Sequence, residues 1–208
     1  MKFEVKKYDL KTIRAKMLVI GIFKNEKINL SIDKSFNYQI SNAVKIDNFK
    51  GEKNQSIIVY GDKNIKKLHI VGLGSKKNYT IDRIRSNFAN LVRILSVNKL
   101  ESFVVDSKSF LLDNDENAQA CSEGIMLGLY NFLDYKSDKK NKKNITKKDF
   151  FGKCNFEILE KGKIIAEAVN YSRDLGNHPP NILTPTYLAE ESKNIAKSKN
   201  MSIKVIDI

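Results

Sequence analysis

The sequence has few of the residues from which metal sites and disulfides are built. It contains two histidines and two cysteines among 208 residues. Cys121 and Cys154 lie far apart with no CxxC pair, which argues against a disulfide framework or a zinc knuckle and predicts buried free thiols. His69 lies within an apolar strand pattern, where we expect a hydrogen-bonded core or edge residue, and His178 precedes a diproline. Neither histidine has a second ligand at metal-binding spacing, so we predict no zinc site.

Long hydrophobic runs are also absent. The longest, at positions 17–23, is far shorter than the roughly 20 residues that a membrane-spanning helix needs, and it suits a buried strand better. The first ten residues, MKFEVKKYDL, alternate charged and apolar side chains and contain no hydrophobic signal core. We therefore expect a cytoplasmic protein that does not associate with membranes.

Arginine is scarce although the chain is strongly basic. The formal net charge is +13, and lysine outnumbers arginine 32 to 5. Proteins that recognise phosphates and bases rely on the planar guanidinium group, whereas the lysines here are spread along the whole chain. This pattern favours compositional drift over a nucleic-acid site, and it predicts only salt-sensitive contact with polyanions.

Strand and helix patterns alternate along the chain, which predicts an α/β fold with a mixed sheet sandwiched by helices. The strand at 17–23 and a return strand at 28–32 should form a hairpin, and this hairpin is our reason for a mixed sheet. Asp33 should cap a helix that carries Phe36, Ile40 and Val44. Further strands are predicted at 56–60, 67–71, 102–106, 154–159 and 202–206.

Helices are predicted at four more places. Thr80 should cap one with a single apolar stripe, and Asp113 with Asp115 should introduce another that runs to about position 132. Gly124 and Gly128 lie four apart in that second helix, which predicts close packing against another element. The lysine-rich segment 136–153 is predicted to be a solvated loop or hairpin tip. The last two helices are expected at 163–175 and, after Thr184-Pro185, at 184–198.

No motif in the sequence predicts an active site. Gly72-Leu73-Gly74 follows a strand, but no third glycine completes GxGxxG, so a tight turn with positive φ is favoured over nucleotide binding. The paired carboxylates lie in the first turns of helices, where they complement the helix dipole; they are Glu190 with Glu191, and Asp113 with Asp115 and Glu116. GxSxG and HExxH are absent. We predict no catalytic, cofactor-binding or metal residues in this chain.

Three segments, in order, resemble the leucyl (cytosol) aminopeptidase family. The first is the strand and glycine turn IVGLG at 70–74. The second, SEGIMLGLYNF at 122–132 followed by YKS at 135–137, is similar to the family pattern EGxxLGxYxFxxYKS. The third, SRDLGNHPPNILTP at 172–185, is similar to RDLxNxPPNxxTP, and its Gly176 and His178 occupy positions that vary in the family. The resemblance is good from about position 67 onward.

This resemblance implies a two-domain metallo-exopeptidase that removes N-terminal amino acids from peptides and assembles as a homo-hexamer. Residues 1–160 would be a non-catalytic, macro-domain-like α/β domain, 161–176 a linker helix, and 177–208 the start of the peptidase domain. The complete enzyme would bind two divalent metals (zinc, manganese or magnesium), but the downstream signatures GKGxTFDSGG and NTDAEGR do not occur here. Asp174, Glu190, Glu191 and Asp207 form no ligand cluster in the sequence, so we expect this chain alone to be inactive and to serve folding and assembly.

Two other interpretations stay open at this point. The net charge of +13 is compatible with a stand-alone nucleic-acid-binding or regulatory module. By analogy with macro domains, the turn at 72–74 is a candidate site for ADP-ribose or a nucleotide, although fold analogy alone is a weak argument for function.

Overall fold

The computed structural model describes residues 2–6, 13–28, 30–61, 64–97, 100–136, 147–151 and 153–206. The chain divides into two compact units, Met1–Glu167 and Ala168–Ile208. No described helix combines the length and the apolar composition that crossing a membrane requires.

The first unit is built on a six-stranded mixed sheet, which confirms the predicted fold class. The strand order is β1-β6-β5-β2-β4-β3. All neighbouring strands are parallel except β3, which lies at one edge and runs antiparallel to β4. The strands are β1 (Lys2–Lys6), β2 (Leu18–Phe23), β3 (Ser56–Tyr60), β4 (Lys67–Gly74), β5 (Ser102–Asp106) and β6 (Lys147–Phe151).

Helices cover both faces of this sheet, as predicted. Alternate residues of a strand point to opposite faces, so Leu18 and Ile20 belong to one apolar core and Val19 to the other. The core that contains Leu18 and Ile20 is covered by Ile32, Phe36 and the two helices between β2 and β3. The core that contains Val19 is covered by the helices that come after β4. The helices are α1 (Leu30–Ser35), α2 (Gln39–Ile46), α3 (Ile81–Val97), α4 (Asp115–Gly128) and α5 (Phe156–Asn177).

The predicted hairpin is wrong, because Ile28–Ile32 does not return as a strand. The chain enters α1 at Leu30, and the antiparallel strand of the mixed sheet is β3 instead. Apolar residues at 28 and 32 fit a strand or a helix equally well, and Ile32 and Phe36 continue at helical spacing into the core. Asp33 lies inside α1, and its carboxylate accepts hydrogen bonds from the backbone N–H and the hydroxyl of Ser41 in the first turn of α2, whose N-cap residue is Tyr38.

The lysine-rich segment contains a strand that the sequence pattern did not predict. Strand β6 lies between β1 and β5, and the ring of its Phe150 packs 5.8 Å from that of Phe3 in β1. The predicted strand at Cys154–Leu159 is wrong, because Asn155 instead accepts a hydrogen bond from the Glu157 backbone N–H at the start of α5. Residues 137–146 of the predicted loop lie outside the described residues.

The contact between α3 and α4 confirms the prediction made from Gly124 and Gly128. A Cβ at Gly124 would overlap the backbone of Arg85, and one at Gly128 would lie 2.6 Å from the Cα of Ala89. Both glycines therefore allow α4 to approach the backbone of α3. The helix begins at Asp115 with Asn114 as its cap and ends at Gly128, four residues earlier than predicted.

The second unit contains the end of α5, a turn and α6 (Pro185–Ser198). The predicted start of α6 is confirmed, since the Thr184 hydroxyl accepts a hydrogen bond from the Tyr187 N–H at 3.2 Å. The strand predicted at Ser202–Ile206 is wrong, because these residues have no regular secondary structure. A strand requires a neighbour for its backbone groups, and the described part of this unit contains none.

Candidate functional site

The glycine segment 72–74 forms the end of β4 and is hydrogen-bonded to the protein's own backbone. The Gly72 N–H donates to the carbonyl of Gln55, and the Gly74 N–H donates to that of Gly51, both at 2.8 Å. The carbonyl of Gly74 accepts from Lys24, and Gly74 has a φ of +73°. A phosphate cradle needs free N–H donors, which Gly72 and Gly74 do not offer. The predicted tight turn is wrong for Gly72 and Leu73, which belong to β4, and only Gly74 has the expected positive φ. This segment gives the nucleotide interpretation no support.

The most buried carboxylate of α4 has a structural role. Glu123 Oε2 accepts from Arg85 Nε at 2.5 Å, and its Oε1 accepts from Gln119 Nε2 at 2.7 Å. The hydrogen bond to Glu123 is the main reason that the pKa of Arg85 is raised. The pair joins α3 to α4 beside the glycine contact, and both carboxylate oxygens are used in holding that contact.

The adjacent acids of α6 also have partners. Glu190 forms an ion pair with Lys193 at 2.7 Å. Glu191 accepts a hydrogen bond of 2.6 Å from the Tyr171 hydroxyl, and this bond raises the pKa of Tyr171 to about 12 because it favours the protonated phenol. Helix α6 begins at Pro185, so the predicted place of both acids in its first turn is wrong, and these contacts give them a structural role instead.

The two cysteines are free thiols, as predicted. Cys121 is buried and Cys154 is half-buried. Burial raises the pKa of both thiols, that of Cys154 to about 12, with the carboxylate of Asp115 as a further cause. Both sulfurs therefore stay protonated at neutral pH, and protonated thiols are poor nucleophiles.

The environment of His69 differs from the prediction. Its side chain is only 1% exposed, yet neither ring nitrogen has a hydrogen-bond partner among the described residues. Burial lowers the pKa of His69 to about 4, so the ring is neutral at pH 7. The prediction of a hydrogen-bonded histidine is therefore wrong.

The ring of His178, in the second unit, lies 6.4 Å from that of Tyr187.

His69 lines a cleft of about 300 Å³ between β4, α3 and the segment that leads into β3. Val71 follows it on the same face of β4, and Asn87, Asn90, Leu91 and Ile94 come from α3. The buried amide of Asn87 lies beside the hydroxyl of Tyr79. The sequence offered two signals for this cleft, because His69 lies within an apolar strand and Asn87 within the apolar stripe of α3.

The described residues do not provide a metal centre. No three His, Cys, Asp or Glu side chains in these parts of the chain are grouped so as to hold an ion. Asp174, Glu190 and Glu191 are described, whereas Asp207 lies outside the described residues. The donor set present here does not fit the two divalent cations that the resemblance implies.

Comparison with known proteins gives a consistent result. Residues 19–139 match the model of the cytosol aminopeptidase family, N-terminal domain. A probable cytosol aminopeptidase of Aquifex aeolicus is 32% identical over 97% of this chain and 41% of its own length. One from Sulfurihydrogenibium sp. is 34% identical over 85% of this chain and 36% of its own length.

The fold agrees with that assignment. A mutant of tomato leucine aminopeptidase superposes with a TM-score of 0.76 at 23% identity, over 96% of this chain and 43% of that structure. This chain thus spans less than half the length of the relatives that it matches. Because the family model covers more than half of the sequence, the chain belongs to the cytosol aminopeptidase family, and residues 19–139 correspond to that family's N-terminal domain.

Proposed function

We propose that this chain is the non-catalytic N-terminal portion of a metal-dependent aminopeptidase, and that its own role is folding and assembly. The match of residues 19–139 to the family's N-terminal domain carries this proposal. The complete enzyme would remove N-terminal amino acids from peptides in the cytoplasm as a homo-hexamer. Its two divalent cations would be held by the peptidase portion, because the described residues lack a suitable ligand cluster.

The surface of the second unit supports a role in joining the two portions. Helix α6 buries only Ala196. Exposed apolar patches of this kind mark surfaces that another protein segment covers. We propose that the peptidase portion covers this surface. The large exposed apolar residues of the second unit are Val169, Ile182, Tyr187, Leu188, Ile195, Met201, Ile203, Val205 and Ile206.

An activity assay tests the proposed absence of catalysis. The purified 208-residue chain should release no p-nitroaniline from leucyl-p-nitroanilide above background when manganese is added, because the residues that the structure describes offer no cluster of metal ligands. The intact Aquifex aeolicus relative serves as the positive control. Manganese-dependent hydrolytic activity that co-elutes with this chain on size-exclusion chromatography would contradict the proposal.

A fusion tests the role in assembly. Residues 1–208 are joined to the part of the Aquifex aeolicus relative that follows the matched region. We expect the fusion to gain metal-dependent hydrolysis, and we expect aspartate at both Leu188 and Ile195 to reduce it, since both side chains belong to the proposed joining surface. A folded fusion whose activity is unchanged by these substitutions would argue against the proposal that this surface joins the two portions.

A further inference from the structure

We propose that the cleft beside His69 binds a small organic molecule that carries no positive charge and offers both a hydrogen-bond donor and an acceptor, such as a carboxamide attached to a ring. The site lies entirely in the first unit and does not depend on the proposed peptidase function. It is formed by β4, α3 and residues 54–56.

The unpartnered ring of His69 is the main observation. Buried polar atoms are normally hydrogen-bonded, because removing them from water without a replacement costs free energy. His69 is 1% exposed, and neither of its ring nitrogens has a partner in the part of the chain that the structure describes. A neutral imidazole has one N–H donor and one acceptor nitrogen. A ligand that satisfies the ring must therefore provide at least one complementary group.

The remaining lining explains why the ligand should carry no positive charge. Val71, Leu91 and Ile94 give the cleft apolar walls, Asn87 and Asn90 add neutral amides, and Arg93 adds a guanidinium group. No aspartate or glutamate occurs among the lining residues that the structure describes, so a cation would lose its hydration without gaining a counter-charge. Apolar walls with a few convergent polar groups are typical of sites for small organic molecules.

The size of the cleft favours an organic ligand over a single ordered water. A water molecule occupies about 30 Å³ in the liquid, roughly a tenth of the space available here. Small-molecule sites range from about 300 to about 1,000 Å³, and this cleft of about 300 Å³ lies at the lower end of that range. The space therefore suits one small ring with a short substituent.

Benzamide and benzylamine form a matched pair of probes for this site. They share one ring, but benzamide carries a neutral amide and benzylamine an ammonium group at neutral pH. The chain has two histidines, so ring ¹H–¹⁵N correlation spectra of the whole protein report on His69 with His178 as an internal reference. We expect benzamide to shift the His69 ring signals saturably and leave those of His178 unchanged, and benzylamine to bind at least roughly tenfold more weakly.

Variants on α3 test whether binding occurs in the cleft. Ile94→Trp places a larger side chain at a lining position that is 40% exposed, and it should weaken benzamide binding at least roughly tenfold. Val97→Trp is the control, because Val97 is on the same helix, is 82% exposed and does not line the cleft. Three results would each overturn the proposal: the absence of a saturable shift of the His69 signals, equal binding of benzylamine and benzamide, and unchanged benzamide binding by Ile94→Trp. The cleft would then contain only water.

Discussion

The contact between α3 and α4 makes Gly124 a position where adding one methyl group should strongly destabilise the fold. A Cβ there would overlap the carbonyl oxygen of Arg85 and lie 2.9 Å from its Cα and 3.0 Å from its carbonyl carbon. These are backbone atoms of a helix, so they cannot rotate away as the end of a flexible side chain can. The Gly124→Ala variant must therefore move the two helices apart.

The magnitude follows from opposing effects. Alanine is favoured over glycine by up to about 1 kcal/mol inside a helix. Overpacking a core costs about 1–3 kcal/mol, and separating the helices also weakens the ion pair of 2.5 Å between Arg85 and the buried Glu123. We expect a net loss of about 2 kcal/mol in the free energy of unfolding. In a protein of this size such a loss lowers the melting temperature by about 4–8 °C.

Thermal unfolding followed by circular dichroism measures this effect. The control is Gly176→Ala, because a Cβ at Gly176 in α5 would meet no atom within 4 Å. That variant should keep or slightly raise the helix signal and its stability, since only the helix propensity changes. A Gly124→Ala protein that melts at or above the temperature of the unsubstituted chain would refute the packing argument.

Two further predictions concern His69 and the exposed face of α6. The pKa of His69 falls from 6.5 in the unfolded chain to about 4 in the folded protein. The contribution of His69 to the free energy of unfolding is therefore fully present above pH 6.5 and is lost as the pH falls toward 4. Between pH 7 and pH 4, the free energy of unfolding of the unsubstituted chain, measured with urea, should fall by about 3 kcal/mol relative to that of His69→Phe. A difference between the two proteins that does not change with pH would contradict this. Aspartate at both Leu188, 45% exposed, and Ile195, 42% exposed, should reduce binding of the apolar dye ANS and lower the free energy of unfolding by no more than about 1 kcal/mol for the two substitutions together. A large loss of stability would show that these side chains are buried.

Long periodic patterns predicted their elements well. The stripe of α3 spans 17 residues, and Ile84, Phe88 and Leu95 are all buried as the spacing required. The near-continuous apolar run of β2 likewise gave a strand that is buried along its whole length. In both cases the local pattern and the tertiary environment specify the same conformation, so either source of information leads to the same element.

Elements that depend on distant partners could not be predicted in this way. Strand β6 pairs with β1, which lies more than a hundred residues earlier in the chain, and with β5. Its sequence KKDFF has too few apolar residues to stand out from the lysine-rich segment around it. The opposite error occurs at Ser202–Ile206, where a good strand pattern lacks a neighbouring strand among the described residues. Strand formation depends on this pairing, which a single segment does not encode.

The cleft beside His69 arises from two polar residues that interrupt apolar patterns, and each interruption is visible in the sequence by itself. His69 breaks an apolar strand and Asn87 breaks the apolar stripe of a helix. Their meeting depends on the register of β4 against β3 and on the rotation of α3 about its own axis, and neither follows from spacing. Two polar interruptions on facing apolar surfaces must share a partner, a ligand or water, because packing either one against a methyl group leaves its polar atoms unpaired. A polar residue within a core stripe is therefore a reason to look for a second one on the surface that it faces.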